Sequence, residues 1–179
     1  MTSDCTVGSS RRVLRLASWA CALLLIASCS SPPSPTRYLP EPAALQSAVD
    51  CSPATGWEVA ATEPAMLLKG RVPDGFVPVD VVSCTPGEMH GEVTREHLSG
   101  DYAPLLAALA KPSERGGNAS CLDYGEILPA IWLINADGQA VNAQWPMDNC
   151  SHSLPGTFEA LKALTPTDPE TIPVQGAAS

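Results

Sequence analysis

The chain has 179 residues, a formal net charge of −9, 45% hydrophobic but only 5% aromatic residues, 18 prolines and 13 glycines. That length holds one core joined by much loop, and the low aromatic content argues against a large buried catalytic cleft. The acidic balance repels nucleic acid and anionic lipid headgroups, which argues against polyanion binding and against an electrostatic membrane contact.

Reading from the start, Arg11, Arg12 and Arg15 make a positive region, and residues 16–27 are apolar and end in small side chains. Residues 1–28 therefore read as a signal peptide. The apolar run falls short of the ~20 residues that cross a bilayer as a helix. It closes on Ile26-Ala27-Ser28-Cys29, which resembles the lipobox of bacterial lipoproteins. The resemblance implies a diacylglyceryl group on the Cys29 thiol, cleavage just before it, and acylation of the new amino terminus. Two or three acyl chains anchor stably, because each buried methylene contributes about 0.8 kcal/mol and one chain is marginal. It also implies residence on the outer face of the cytoplasmic membrane, reached through covalent lipid. Ser10-Arg11-Arg12 matches the start of a twin-arginine export signal, although the apolar residues expected after it are only partly present.

Residues 29–42 comprise the lipidated cysteine and a Pro/Ser-rich linker, expected as an extended, solvated spacer. Residues 43–164 are expected to form a single α+β domain: a small antiparallel sheet with two or three short helices packed on it and two disulfides. Residues 42–49 suit a short helix with Leu45 and Val49 on one face. Residues 76–83 read as a strand with Val77, Val79 and Val81 on one face, and Pro78 makes it an edge strand or limits its pairing there. Residues 92–98 read as another strand, and Asp101 can cap a helix reaching Ala110 with Leu105, Leu106 and Leu109 as its apolar stripe.

Around Asp137-Gly138, two apolar segments predict a hairpin with those two residues at the tip of a type I′ turn. Ile134 then faces Val141, Trp132 faces Ala143 and Ala130 faces Trp145, all on one side. A helix over residues 156–164, with Phe158, Leu161 and Leu164 on one side, is expected to cover that surface. Residues 165–179, rich in Pro and Thr and without an apolar face, read as a disordered tail.

Of seven cysteines, Cys5 and Cys21 leave with the signal and Cys29 takes lipid. Cys51, Cys84, Cys121 and Cys150 remain, an even number that implies two disulfides with three possible connectivities. Continuing the hairpin ladder outward brings Cys121 near residues 153–154, within reach of Cys150. The pairing Cys121 with Cys150 is expected, which leaves Cys51 with Cys84. No Cys-x-x-Cys pair points to a redox dithiol or thiolate metal site.

His90, His97 and His152 lack metalloprotease spacing; His90, His152, Met89 and Met147 have donors that suit copper, but nothing in the sequence brings them together. Gly-x-Ser-x-Gly and Ser-x-x-Lys are absent, so no nucleophile is placed. Glu92 and Glu96 read as a solvated face, and Gly116-Gly117 as a loop and not a phosphate cradle. No catalytic residue, cofactor or metal is expected.

Residues 76–164 resemble a loosely defined group of uncharacterised actinobacterial exported lipoproteins, through Val81-Val82-Ser83-Cys84, residues 102–109, residues 132–138 and residues 145–150. That resemblance implies a fold unit and no chemistry. The strand ending in Cys84-Thr85-Pro86-Gly87, and the two cysteines flanking a hairpin, are similar to the subtilisin-inhibitor family of exported protease inhibitors. In that family a further cysteine lies inside the loop after the first, whereas here none lies between 84 and 121; residues 120–124 would be the presented loop. The expected function is a non-enzymatic binding or interaction module of the envelope, with an unidentified protein or small-molecule partner. The alternatives are a protease inhibitor, and a hydrolase whose histidines would have to gather with a serine or carboxylate.

Overall fold

The computed structural model describes residues 34–52, 68–89, 92–117 and 120–173. The expected signal peptide, Cys29 and His90 lie outside them. The chain forms β1 (Thr36–Tyr38), β2 (Lys69–Gly70), β3 (Pro78–Pro86), β4 (Glu92–Ser99), α1 (Ala103–Leu109), β5 (Ser113–Arg115), β6 (Ala130–Asn135), β7 (Ala140–Ala143), α2 (Thr157–Lys162) and β8 (Thr165–Pro173). A six-stranded sheet runs β2-β7-β6-β3-β4-β8, and β1 pairs with β5 in a separate ribbon. Every pair is antiparallel except β2 with β7. The architecture is mostly sheet with two short helices, so the small sheet under two or three helices is corrected in its proportions.

The β6–β7 hairpin forms, but one residue out of the expected register. Ile134 pairs with Ala140, Leu133 with Val141, Trp132 with Asn142 and Ile131 with Ala143. A two-residue tip needs positive φ at both Asp137 and Gly138, and of the two only Gly138 has it (φ 75). The loop takes three residues instead. Gly138 N–H donates to the Asn135 carbonyl and Asn135 N–H to the Gln139 carbonyl, each at 3.0 Å. Asn135 Oδ1 accepts from the N–H of Asp137 (3.1 Å) and of Gln139 (2.9 Å), so the side chain shapes the turn and the left-handed glycine ends it. A slip of one residue exchanges faces along the pair. Trp132 and Trp145 consequently lie on opposite sides of the sheet.

Both faces are buried. On one, Val81, Leu98, Ile131, Leu133, Val141 and Trp145 meet Leu105 and Leu109 of α1 and Leu161 and Leu164 in and after α2. On the other, Val82, Cys84, Val93, Trp132 and Ala140 meet Val49 and Cys51. This explains the near-continuous apolar run of β6, which a strand with one wet face would not carry.

β3 lies at the centre, between β6 and β4, not at an edge. Pro78 is accommodated because pairing with β4 begins only at Val81, so its missing N–H removes no bond to that neighbour. A register shift between Pro78 and Asp80 breaks the alternation, leaving Val77 and Val79 exposed while Val81 is buried.

α1 begins where Asp101 Oδ1 accepts the Ala103 N–H at 2.9 Å, close to the expected start. α2 begins at Gly156 (φ 108), whose N–H donates to the Glu159 carboxylate at 2.8 Å. Hydrogen bonds from its own N–H and from Gly156, with Lys111 and Lys162 nearby, hold the Glu159 carboxyl below the usual range. Phe158 is half exposed, tilted against Trp145 with ring centroids 6.4 Å apart.

Three expected segments differ. Residues 42–49 are not helical: Pro42 bridges Arg71 and Gln46 bridges Ala140. Backbone bonds between Glu41, Ala43 and Arg71 draw the segment onto Gly70, where a Cβ would stand 2.3 Å from the Glu41 carbonyl oxygen. The linker is not free throughout, since Thr36–Tyr38 pairs with β5, Arg37 meets Glu114 at 3.5 Å and the Arg115 guanidinium lies over the Tyr38 ring. The tail is not disordered through residue 173, because Thr165–Pro173 pairs along β4. β8 buries little; backbone ladder bonds, Thr167 Oγ1 donating to the His97 carbonyl and an Arg95–Glu170 ion pair hold it.

Candidate functional site: a braced strap

Among the described residues, the long stretch without helix, strand, turn or bend is residues 120–129. Residues 120–127 run exposed over the surface, with Leu122 75%, Tyr124 52% and Ile127 81% accessible, while Leu128 packs half-buried against the core and Pro129 is buried. Three large apolar side chains so close in sequence, outside a core that buries most others, are the least explained surface of the molecule.

The strap is nonetheless fixed, because a second loop is built to hold it. Residues 146–154 fold back on themselves through Leu154 N–H to the Pro146 carbonyl (2.8 Å) and Asp148 N–H to the His152 carbonyl (2.7 Å). At the tip, Asp148 Oδ1 accepts from the N–H groups of Cys150 and His152, both at 2.8 Å, and Ser151 takes a left-handed φ of 65. An aspartate that bonds two backbone N–H groups ahead of it makes such a turn self-supporting.

Three pairs of residues then join strap to loop, and a fourth contact ties the strap to Trp145 just before it. Cys121 is disulfide-bonded to Cys150, with Cα atoms 5.4 Å apart. The Tyr124 ring stacks on His152, with centroids 3.9 Å apart and 2° between planes, and His152 Nε2 donates to the Tyr124 carbonyl at 3.3 Å. The Glu126 carboxylate accepts from Ser153 N–H at 2.6 Å and from Ser153 Oγ at 3.2 Å. Where the strap enters the sheet, the Pro129 carbonyl accepts the indole N–H of buried Trp145 at 2.8 Å. The result is an irregular segment with a braced backbone, from which Leu122 and Ile127 project into solvent.

Both expected disulfides are present, Cys121–Cys150 here and Cys51–Cys84 in the second core, with Cα atoms 5.5 Å apart. The expected partner of the hairpin's extension is different in detail: Ser153 faces Glu126, and residues 121–129 are not strand. Glu126, Asp148 and the Tyr124–His152 stack were not singled out from the sequence. Asp148-Asn149 after Pro146 was the available signal for a tight turn.

Among the described residues His97 and His152 sit in different parts of the fold, each beside a carboxylate as the hydrolase alternative requires. His97 Nδ1 lies 2.7 Å from Asp80 Oδ2, and His152 Nδ1 lies 3.8 Å from Asp148 Oδ2. Among the described residues no serine or threonine hydroxyl bonds to either ring, and Ser153 Oγ is turned to Glu126. Beside the first pair, burial and then the Asp80 carboxylate raise the Tyr102 phenol above its usual value, and its O–H donates to the Leu98 carbonyl. Met89 sits in the β3–β4 turn and Met147 in the loop after β7, and among the described residues no three His, Cys, Asp or Glu are placed to hold a metal ion. Beside Cys51 a shallow cleft runs past Val49, Val93 and Ile172; its one cation, Arg95, is paired with Glu170. No helix among the described residues is long and apolar enough to cross a membrane. Comparison with family models, with curated proteins and with solved structures found nothing that matches this chain.

Proposed function

We propose that the protein is a lipoprotein of the cell envelope, anchored by lipid on Cys29 to the outer face of the cytoplasmic membrane. It acts without catalysis, by binding a partner through residues 120–129. The observation that carries the binding reading is the strap itself: Leu122, Tyr124 and Ile127 stand in solvent on a backbone already fixed by a disulfide, a ring stack and a carboxylate. A surface ordered before contact loses less conformational freedom when a partner arrives. The anchoring half rests on the lipobox-like residues 26–29 and the positive, apolar segment before them.

Two experiments test the two halves. Cys29→Ala is expected to leave the precursor uncleaved and without acyl mass; processing and membrane retention like the parent would overturn the anchor. A photo-crosslinking residue at position 122 of the lipidated protein is expected to give a discrete adduct in intact envelopes, and one at position 137 on the hairpin tip none. Equal labelling at both positions would overturn the strap as the binding surface.

A second reading has one observation in its favour. An exposed, unbent segment held beside a disulfide is the form in which a protease cleft accepts a chain, so inhibition of a subtilisin-like protease through residues 120–124 fits the strap. A stoichiometric complex with such a protease would establish it, and the absence of any complex would remove it.

A further inference from the structure

We propose that Trp132, Asn142 and Gln46 together bind one water molecule in the interior, on the face of the sheet opposite α1 and α2, and that this molecule ties the segment before Cys51 to β6 and β7. The site stands apart from the strap and from its reading as a binding surface.

Four buried side-chain atoms have no hydrogen-bond partner among the described residues: Gln46 Nε2, Trp132 Nε1, Asn142 Oδ1 and Thr157 Oγ1. Thr157 belongs to α2, whereas the other three share one small area of the opposite face. Trp132 pairs with Asn142, and Ile134 with Ala140, across β6 and β7. Paired residues point to the same side of a sheet, as do residues two apart on one strand, so Asn142 shares the face of Trp132 and Ala140. Gln46 joins that face from the outer edge of β7, where its backbone N–H and carbonyl each bond Ala140 at 2.8 Å. Ala140 is therefore flanked by Gln46 and Ile134 across the ladder, by Asn142 along its own strand and by Trp132 on the diagonal. Its methyl is the shortest side chain of the five, and the three polar ends stand around it. Lys69 pairs with Asn142 from the other side but does not bond its Oδ1.

The polar atoms select the occupant. Trp132 at 2% and Asn142 at 7% exposure are set too deep for bulk solvent to serve them, and a buried donor or acceptor left unmet lowers stability. Two N–H donors repel a cation, and the Asn142 carbonyl oxygen repels an anion. A neutral molecule that accepts twice and donates once meets all three, and water does so with about three hydrogen bonds, the usual number for a buried one. Side chains directly opposed in a ladder start about 4.5–5.5 Å apart and diagonal ones about 7–8 Å or less. An oxygen bonded at about 2.9 Å on either side bridges such gaps. Gln46 lies in the segment that Cys51–Cys84 fastens to the sheet, so the water is a second fastening of the same segment.

The test uses the full chain labelled with nitrogen-15, with solvent water as the probe. The Trp132 indole N–H resonance, identified by its loss in Trp132→Phe, is expected to show a cross-peak to water of opposite sign in laboratory-frame and rotating-frame Overhauser spectra. Opposite signs mark a held molecule, whereas equal signs mark proton exchange. Gln46→Met and Asn142→Leu each remove one polar partner at similar side-chain size. Each is expected to weaken that cross-peak at least about two-fold, with unchanged far-ultraviolet circular dichroism. An indole with no water cross-peak, or with an exchange peak alone, would overturn the site. A cross-peak indifferent to both variants would leave the water on Trp132 by itself and overturn the bridge. Should either variant fail to fold, the parent protein decides: a cross-peak from the Gln46 side-chain amide to held water supports the bridge, and its absence removes it.

Discussion

Cys51–Cys84 and Cys121–Cys150 span sequence separations of 33 and 29, so restriction of the unfolded chain gives each roughly 3.7 kcal/mol on the chain-entropy estimate. Their surroundings differ in every other respect. The first bridge lies inside the core and ties residues 49–51 over one face of the sheet. The second lies at the surface and ties two irregular loops to each other. Loop length alone therefore does not rank them. The buried bridge also fills volume, whereas the exposed one joins two surface segments.

The largest test of that difference removes each bridge in turn. Cys51→Ala with Cys84→Ala should lose the entropic term plus a cavity contribution, on the order of 5 kcal/mol in all. Cys121→Ala with Cys150→Ala should lose clearly less, because the native strap gains freedom as well. Calorimetric unfolding of both double variants decides it, and equal losses would break the distinction. Next in size, Leu133→Ala in the buried face should cost about 2–5 kcal/mol, while Leu122→Ala on the strap should stay within about 0.5 kcal/mol in denaturant titration.

A smaller effect sharpens the strap side. Glu126→Gln weakens the bonds accepted from Ser153 and should cost about 1 kcal/mol or less globally, yet speed hydrogen exchange at the Ser153 amide several-fold. The smallest effect comes from Glu159 at the start of α2, whose carboxyl is held below its usual range in the fold. A carboxyl with a depressed folded value binds protons more readily when unfolded. Its contribution is complete above the ordinary glutamate range and is lost as pH falls through the folded value. Glu159→Gln should flatten that acid-side slope in thermal unfolding measured across pH, and leave the strap's exchange rates untouched.

What the amino-acid order revealed follows from how local each cause is. That two disulfides form was legible because four cysteines remained once residues 1–28 and Cys29 were set aside, and their pairing was legible from the outward extension of the hairpin. Both helices were legible from the spacing of Leu105 and Leu109 and of Leu161 and Leu164. The hairpin was legible as a hairpin, but its register turned on whether Asp137 adopts positive φ, and Asn135 settles that by bonding forward to Asp137 and Gln139. β8 was missed because an edge strand held by ladder bonds needs no apolar alternation, so its prolines and threonines read as disorder. The helix expected over residues 42–49 failed because Gly70 offers backbone contact at a distance no local pattern reveals. Of the strap, only residues 120–124 were legible, as the loop that an inhibitor would present. Its braces join residues such as Glu126 and Ser153 that share no periodicity, and only the folded loops bring them together.

The borders of the sheet carry one more consequence. On one side β8 places Pro166, Pro169 and Pro173 along the outermost strand, and on the other β2 is two residues long, with residues 41–43 bonded to Arg71 just beyond it. Proline offers no N–H for an incoming strand, and a two-residue margin leaves almost nothing to template one. Copies of this chain would thus meet without zipping their sheets into fibrils, and contacts between neighbours fall to side chains and loops.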